Sequence, residues 1–144
     1  TYTGHLLHNR LGSGVNLVLC KIGLMVSVTS ATMTGIALAT NAQAAHPTGL
    51  TAADRTGNCL VGASGSAAAA YKAATLAAAG TSLLILAHNT AAINTVGVDQ
   101  LQIDLEGSVI IQPGYTAHLA ALGAASAASA VTSHFIWEEV PVIS

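Results

Sequence analysis

Six histidines, two cysteines, six acidic residues and scattered serines are the side chains in this sequence with chemistry to offer. His5 and His8 are three apart, which puts them on opposite faces of an extended strand, so chelation of one ion by both is geometrically unfavourable. His46, His88, His118 and His134 have no ligand spacing with one another. Each reads better as a solvated or hydrogen-bonded side chain than as a ligand; imidazoles from several copies meeting on a symmetry axis would be the exception. Glu138 and Glu139 are adjacent, so a strand sends them to opposite faces and they form no general acid/base pair. One of them is expected in solvent or paired with Arg or Lys across an interface. Gly12-Ser13-Gly14-Val15-Asn16-Leu17 misses the third glycine of a dinucleotide fingerprint and precedes a strand pattern rather than a helix. Gly62-Ala63-Ser64-Gly65-Ser66 lacks the closing glycine of a nucleophile elbow. Cys20 sits inside an apolar strand pattern and reads as a small buried hydrophobe; with Cys59 it makes one disulfide or none. The expectation is a protein that is not an enzyme, with no catalytic or metal-ligating residues and no cofactor.

Composition narrows the partners. A chain of 144 residues fits one domain with a real core, and residues 1–144 are read as a single unit. Charged residues make up 7% of it, against a usual share of about a quarter, while 52% is hydrophobic, much of it Ala. So few ionised groups are hard to reconcile with a fully solvated monomer. The formal net charge is -2, and Arg10, Lys21, Arg55 and Lys72 are scattered, which offers nucleic acid no electrostatic footprint. Residues 67–87 are mostly apolar but include Tyr71, Lys72, Thr75, Gly80, Thr81 and Ser82, and hydrophobicity built on Ala is too weak for a spanning helix. No membrane partner is expected. The opening Thr1-Tyr2-Thr3 shows no basic-then-apolar leader, and the missing initiator Met points to a processed or truncated chain.

The positioning elements read as β. Ile103, Leu105, Val109 and Ile111 alternate with Asp104, Glu106, Ser108 and Gln112, the period of a strand with one dry face, and Ile110 is the break in that alternation. Gln112-Pro113-Gly114 supplies a turn into a second strand over residues 115–122, so a hairpin is expected, and residues 134–140 return with the chain's only Phe and only Trp. Residues 3–9 form a short strand before the turn Leu11-Gly12-Ser13-Gly14. Residues 15–29 are the longest strand candidate. Val18, Cys20, Ile22, Leu24, Val26 and Val28 make one apolar face, while on the other Val15, Leu17 and Leu19 are apolar and Lys21, Gly23, Ser27 and Thr29 mostly polar. Half of that strand is therefore expected to be covered on both faces, by another copy of the chain or else by a loop or a bulge near Gly23. Residues 34–40 are expected to pair with the preceding strand.

Residues 41–62 lose all periodicity and read as a long contact loop. Residues 67–79 are Ala-rich, which favours a helix by propensity, yet glycines bracket them and the flanks read β, so extended structure is preferred over a helix. Residues 83–87 read as a buried strand and 93–98 as another short one. The count of about eight to ten short strands divided by Gly, Ser and Thr turns makes the fold all-β, a jelly-roll β-sandwich. Its expected core is Ile22, Leu24, Val26, Ile103, Leu105, Val109 and Ile111. Expected contacts between copies are Val15, Leu17, Leu19, Ala120, Ala121, Phe135 and Trp137.

Three stretches, LGSGVNLVL near the start, DLEGSVIIQPGYTAHLAAL and the closing FIWEEVP, together resemble virion structural proteins of tailed bacteriophages. The resemblance covers about half the chain, at both ends. It implies a jelly-roll domain, often trimeric, that decorates a capsid or forms part of a fibre or spike. The expected partners are then copies of the chain, as a homotrimer, and the major capsid protein or another virion protein, and the expected location is the virion, on the capsid surface or an appendage. Burial argues the same way, because apolar surface removed from water stabilises by about 25 cal/mol per Å² and closed symmetry is the usual way to share it. The leading expectation is a capsid decoration or cement protein. A fibre or spike domain that binds a host receptor is the first alternative, although aromatics at 3% supply little ring stacking. A secreted trimeric module of the complement C1q or tumour-necrosis-factor type is the second, although no Asn-x-Ser/Thr acceptor occurs.

Overall fold

The computed structural model describes residues 5–28, 33–43, 48–52, 62, 65–76, 78–88, 99–123 and 130–143. Within these lie nine strands: β1 (Leu6–Asn9), β2 (Val15–Val28), β3 (Met33–Ala42), β4 (Thr48–Ala52), β5 (Ala68–Thr75), β6 (Thr81–His88), β7 (Asp99–Ile111), β8 (Tyr115–Gly123) and β9 (Ala130–Pro141). Among the described residues there is no helix. One sheet has six strands in the order β4-β5-β1-β8-β3-β6, and the other has three in the order β7-β2-β9. All pairings are antiparallel. Four of them are nested, β1 with β8, β2 with β7, β3 with β6 and β4 with β5, which is the pattern of one long hairpin rolled up on itself. The protein is a jelly-roll β-sandwich. Two features depart from the plainest form of that roll. The β4–β5 hairpin extends the six-stranded sheet through a β5–β1 pairing, and β9 occupies the free edge of β2.

Both sheets turn an aliphatic face inward. Leu7, Ile36, Leu38, Ala117 and Leu119 from the larger sheet meet Leu17, Leu19, Ile22, Leu24, Leu105 and Ile111 from the smaller in one buried cluster. Side chains of this kind stabilise by about 1.5–3 kcal/mol each when fully buried. Of the expected core, Ile22, Leu24, Leu105 and Ile111 are buried in it, Ile103 and Val109 pack against it partly buried, and the Val26 side chain lies outside the described residues. The period-2 pattern of β7 holds, and Ile110, its break, points outward into solvent.

The expected contacts between copies need correction at Leu17 and Leu19, which are fully buried inside their own chain, while Val15, Phe135 and Trp137 pack partly buried against the same core. The cause is a bulge. Register against both neighbours shifts between Leu19 and Lys21, so the inward parity of β2 passes from odd at Leu17 and Leu19 to even at Ile22 and Leu24. The bulge falls at Cys20 rather than at Gly23, and it removes the need for a second body over that half of the strand. Ala120 is half-buried and Ala121 exposed.

The turn at Gln112-Pro113-Gly114 forms, with the Tyr115 N–H donating to the Gln112 carbonyl at 3.2 Å, but it closes no hairpin. It carries the chain from β7 in one sheet to β8 in the other. Likewise β3 pairs with β6 and β8 and not with β2. Residues 41–62 are not all loop, since β3 runs to Ala42 and β4 lies within them, paired to β5; residues 44–47, 53–61, 63–64 and 93–98 lie outside the described residues. The Ala-rich stretch is a strand, β5.

The outer face of the larger sheet is also covered. Because β5 is second and β6 last in that sheet, the chain between them crosses β1, β8 and β3. Leu76 packs on Leu6, Ala69 and Tyr71, the Ala78 carbonyl accepts from Asn41 Nδ2 at 3.1 Å, and Gly80 lies on His118 and Ala39. A sheet covered on both faces favours small residues, hence Ala37, Ala39, Ala69 and Ala117, all buried.

Candidate functional site

The polar side chains converge on joins between the sheets. Asn9 ends β1, fully buried, and its side-chain amide donates to the carbonyls of Val15 on β2 and Ile111 on β7, at 2.8 Å each. Its Oδ1 accepts from Ser13 Oγ at 2.6 Å, and its main-chain carbonyl accepts from the Gly114 N–H at 2.8 Å. Gly12 and Gly14 hold positive φ of 80° and 73°, which lets the loop fold back so that Ser13 reaches Asn9. The glycine-serine motif near the start is therefore a structural crossing between sheets, with every polar side-chain atom of Asn9 engaged.

Glu139 closes a second join. Its carboxylate accepts from Ser66 Oγ, from the Ala67 N–H at 2.9 Å and from the Ala68 N–H at 3.3 Å, tying β9 to the start of β5. Partial burial pulls its pKa up, but the donors from Ser66, Ala67, Ala68 and Trp137 outweigh it, and the carboxyl is held below its usual value. The Ala67 and Ala68 N–H groups both point to that carboxylate. Glu138 points to the opposite face, into solvent.

The histidines separate as their spacing requires. His5 Nδ1 shares a hydrogen bond with Ser133 Oγ at 2.5 Å, while His8 is buried on the outer face and its Nε2–H donates to the Gln43 carbonyl at 2.9 Å. His118 is buried, and burial pushes its pKa down to about 4, so it is neutral near pH 7. His134 is exposed over Gly23 on the smaller sheet. His46 and the His88 side chain lie outside the described residues, as does Cys59; the Cys20 thiol approaches the Val18 carbonyl at 3.6 Å. Among the described residues no group of three or more His, Cys, Asp or Glu is placed to hold a metal ion. One ion pair, Lys21 Nζ to Asp104 Oδ2 at 3.1 Å, lies half-exposed across β2 and β7 and lowers the Asp104 pKa.

Part of the described surface is aliphatic. The strand expected to be buried over residues 83–87 forms as β6, but Leu83, Leu84 and Ile85 stand in solvent and only Leu86 is buried, because β6 is an edge strand with two bulges against β3. Next to it a cavity of about 310 Å³ opens toward the β7–β8 turn, lined by Thr40, Leu83, Ile110, Tyr115 and Thr116 among others. This flank was not legible as exposed from the sequence, since the signal for it, an uninterrupted aliphatic run, is the signal for burial too.

No protein family, no curated protein and no solved structure matches this chain. No helix among the described residues is long and apolar enough to cross a membrane.

Proposed function

We propose that this chain is a non-enzymatic structural component of a bacteriophage virion, a homotrimeric decoration or cement protein that binds the capsid surface and stabilises the particle. The observation that carries the reading is the division of labour among its side chains. Asn9, Ser13, Ser66 and Glu139 are spent holding one sheet to the other, whereas Leu83, Leu84 and Ile85 of β6 and Ile110 face out. A polypeptide arranged in this way offers surface to be covered. The resemblance of its two ends to phage virion proteins and the rolled-up strand order support the assignment to a particle.

A receptor-binding fibre domain is less well served, because among the described aromatic side chains Tyr71 is buried, Phe135 and Trp137 face inward and Tyr115 alone is exposed. The test is co-sedimentation of the purified chain with tailed-phage capsids stripped of decoration protein. Saturable binding in multiples of three per site, with a raised temperature of capsid disruption, is expected. A chain that stays in the supernatant at every ratio refutes the reading.

A further inference from the structure

The flank built from β6 and the cavity beside it has properties that say what covers it. Leu83 is 57% exposed, Leu84 39%, Ile85 65%, Ile110 56% and Tyr115 45%. Edge strands are ordinarily shielded by charged residues or proline. β6 reads Thr-Ser-Leu-Leu-Ile-Leu-Ala-His and has neither, whereas β7 on the other sheet carries Asp104 and Glu106 on its exposed face. None of the residues that line the cavity is charged.

We infer that this flank is the surface through which copies of the chain meet, with β6 and the mouth of the cavity turned toward the symmetry axis. The inference rests on the self-association in the proposed function and assigns it a surface. Charge selects the occupant. A partner rich in Lys, Arg, Asp or Glu would bring its ions into a contact that has no counter-charge to give, at a cost in desolvation. A second copy, from a chain that is only 7% charged, brings the same uncharged aliphatic surface. Five large side chains exposed to this degree make a patch on the scale of about 300–600 Å². In the trimer Ile85 of one copy meets the cavity mouth of the next, a head-to-tail contact that closes into a ring about a three-fold axis.

The experiment is sedimentation of the wild-type chain, Ile85→Lys, Ile85→Ser and the control Ile136→Lys, whose site is an exposed aliphatic position on the outer face of β9. The wild type and the control should sediment as trimers. Ile85→Lys should be a monomer with an unchanged far-ultraviolet circular dichroism spectrum, and Ile85→Ser should raise the midpoint concentration of trimer dissociation at least tenfold. Trimers that persist in both Ile85 variants overturn the surface and leave the virion reading intact. A monomeric wild type overturns the surface and the trimer together, while capsid co-sedimentation still judges the virion reading separately. Hydrogen exchange on the wild type needs no variant to fold: amides of residues 83–85 should be protected above the dissociation concentration and exchange faster below it, and equal rates overturn the surface.

Discussion

The side-chain amide of Asn9 donates to the main-chain carbonyl of Ile111 at 2.8 Å, across 102 residues of sequence and from one sheet of the sandwich to the other. The same nitrogen reaches Val15, so one buried amide holds the starts and ends of three strands. Asn9→Ala removes both bonds and leaves the buried Ile111 carbonyl without this donor, at about 1–3 kcal/mol, while the Val15 carbonyl keeps Ser13 Oγ at 3.2 Å. The expected loss is about 2–4 kcal/mol in urea unfolding. Ser13→Ala, which takes away the bond to Oδ1 together with the contacts of Oγ to the Val15 carbonyl at 3.2 Å and the Val15 N–H at 3.4 Å, should cost about 1–2 kcal/mol. A midpoint for Asn9→Ala equal to that of the wild type would show that the clasp contributes nothing.

Asn9 also marks where sequence reading stops. The alternation around Ile103 and Leu105 is visible because one face of β7 is dry and the other wet, and the period survives into the fold. Pro113-Gly114 is visible as a turn, but the same residues serve a hairpin or an arch between sheets, so the partner of β7 was not. The inward parity of β2 switches at Cys20, a residue with no turn chemistry, and that switch moved Leu17 and Leu19 from an expected interface into the core. The Ala-rich β5 was ambiguous because Ala favours a helix by propensity while it fits a strand of a sheet covered on both faces. A single Asn before a Gly-Ser-Gly loop carries a weak signal for an inter-sheet clasp; its partners lie 6 and 102 residues away and only the roll-up brings them together.

Two glycines lie under imidazoles, and they should respond differently to a methyl group. A Cβ on Gly80 would overlap the ring of His118, and one on Gly23 the ring of His134. His118 is buried beneath the β5–β6 crossing and has nowhere to go, so Gly80→Ala should cost about 1–3 kcal/mol as overpacking. His134 is exposed and can swing into solvent, so Gly23→Ala should change stability by less than about 0.5 kcal/mol. Thermal unfolding of the two variants side by side decides it; equal losses would mean that His134 is held as firmly as His118.

Acid should destabilise this protein over two successive pH ranges. His118 has a folded pKa of about 4 against an ordinary 6.5, so below pH 6.5 the unfolded chain takes up a proton that the folded one refuses. Its contribution is complete above pH 6.5 and erodes down to about pH 4. Glu139 is shifted below the ordinary carboxyl range, so the stability from its join with Ser66 is present above that range and is lost as pH falls through the folded value. Melting temperature should therefore decline from pH 6.5 downward. His118→Gln should flatten the upper part of that decline and Glu139→Gln the lower part. A His118→Gln profile parallel to wild type between pH 6.5 and 4 would show that this imidazole is not the group refusing the proton.

The bulge of β7 stores strain that substitution can release. Opposite Cys20, β7 inserts residues 105–108 between the pairings of Val109 with Leu19 and Asp104 with Lys21, and the backbone doubles back through Glu106 at φ 49° and Gly107 at φ 76°. The Glu106 N–H is anchored to Asp104 Oδ1 at 3.3 Å, which fixes the turn locally. A left-handed conformation costs a residue with a side chain roughly 1–2 kcal/mol, and glycine avoids that cost while losing about 0.5–1 kcal/mol more chain entropy on folding. Glu106→Gly should consequently be neutral to stabilising, by up to about 1 kcal/mol. Gly107→Ala has no such freedom: its φ is unfavourable for alanine, and the new methyl would stand 2.9 Å from Val18 Cγ1. It should lose more than about 1 kcal/mol. Guanidinium unfolding of both variants, run against the wild type, measures the difference between two adjacent positions of like conformation; a Gly107→Ala as stable as Glu106→Gly would mean that the bulge relaxes freely and holds no strain.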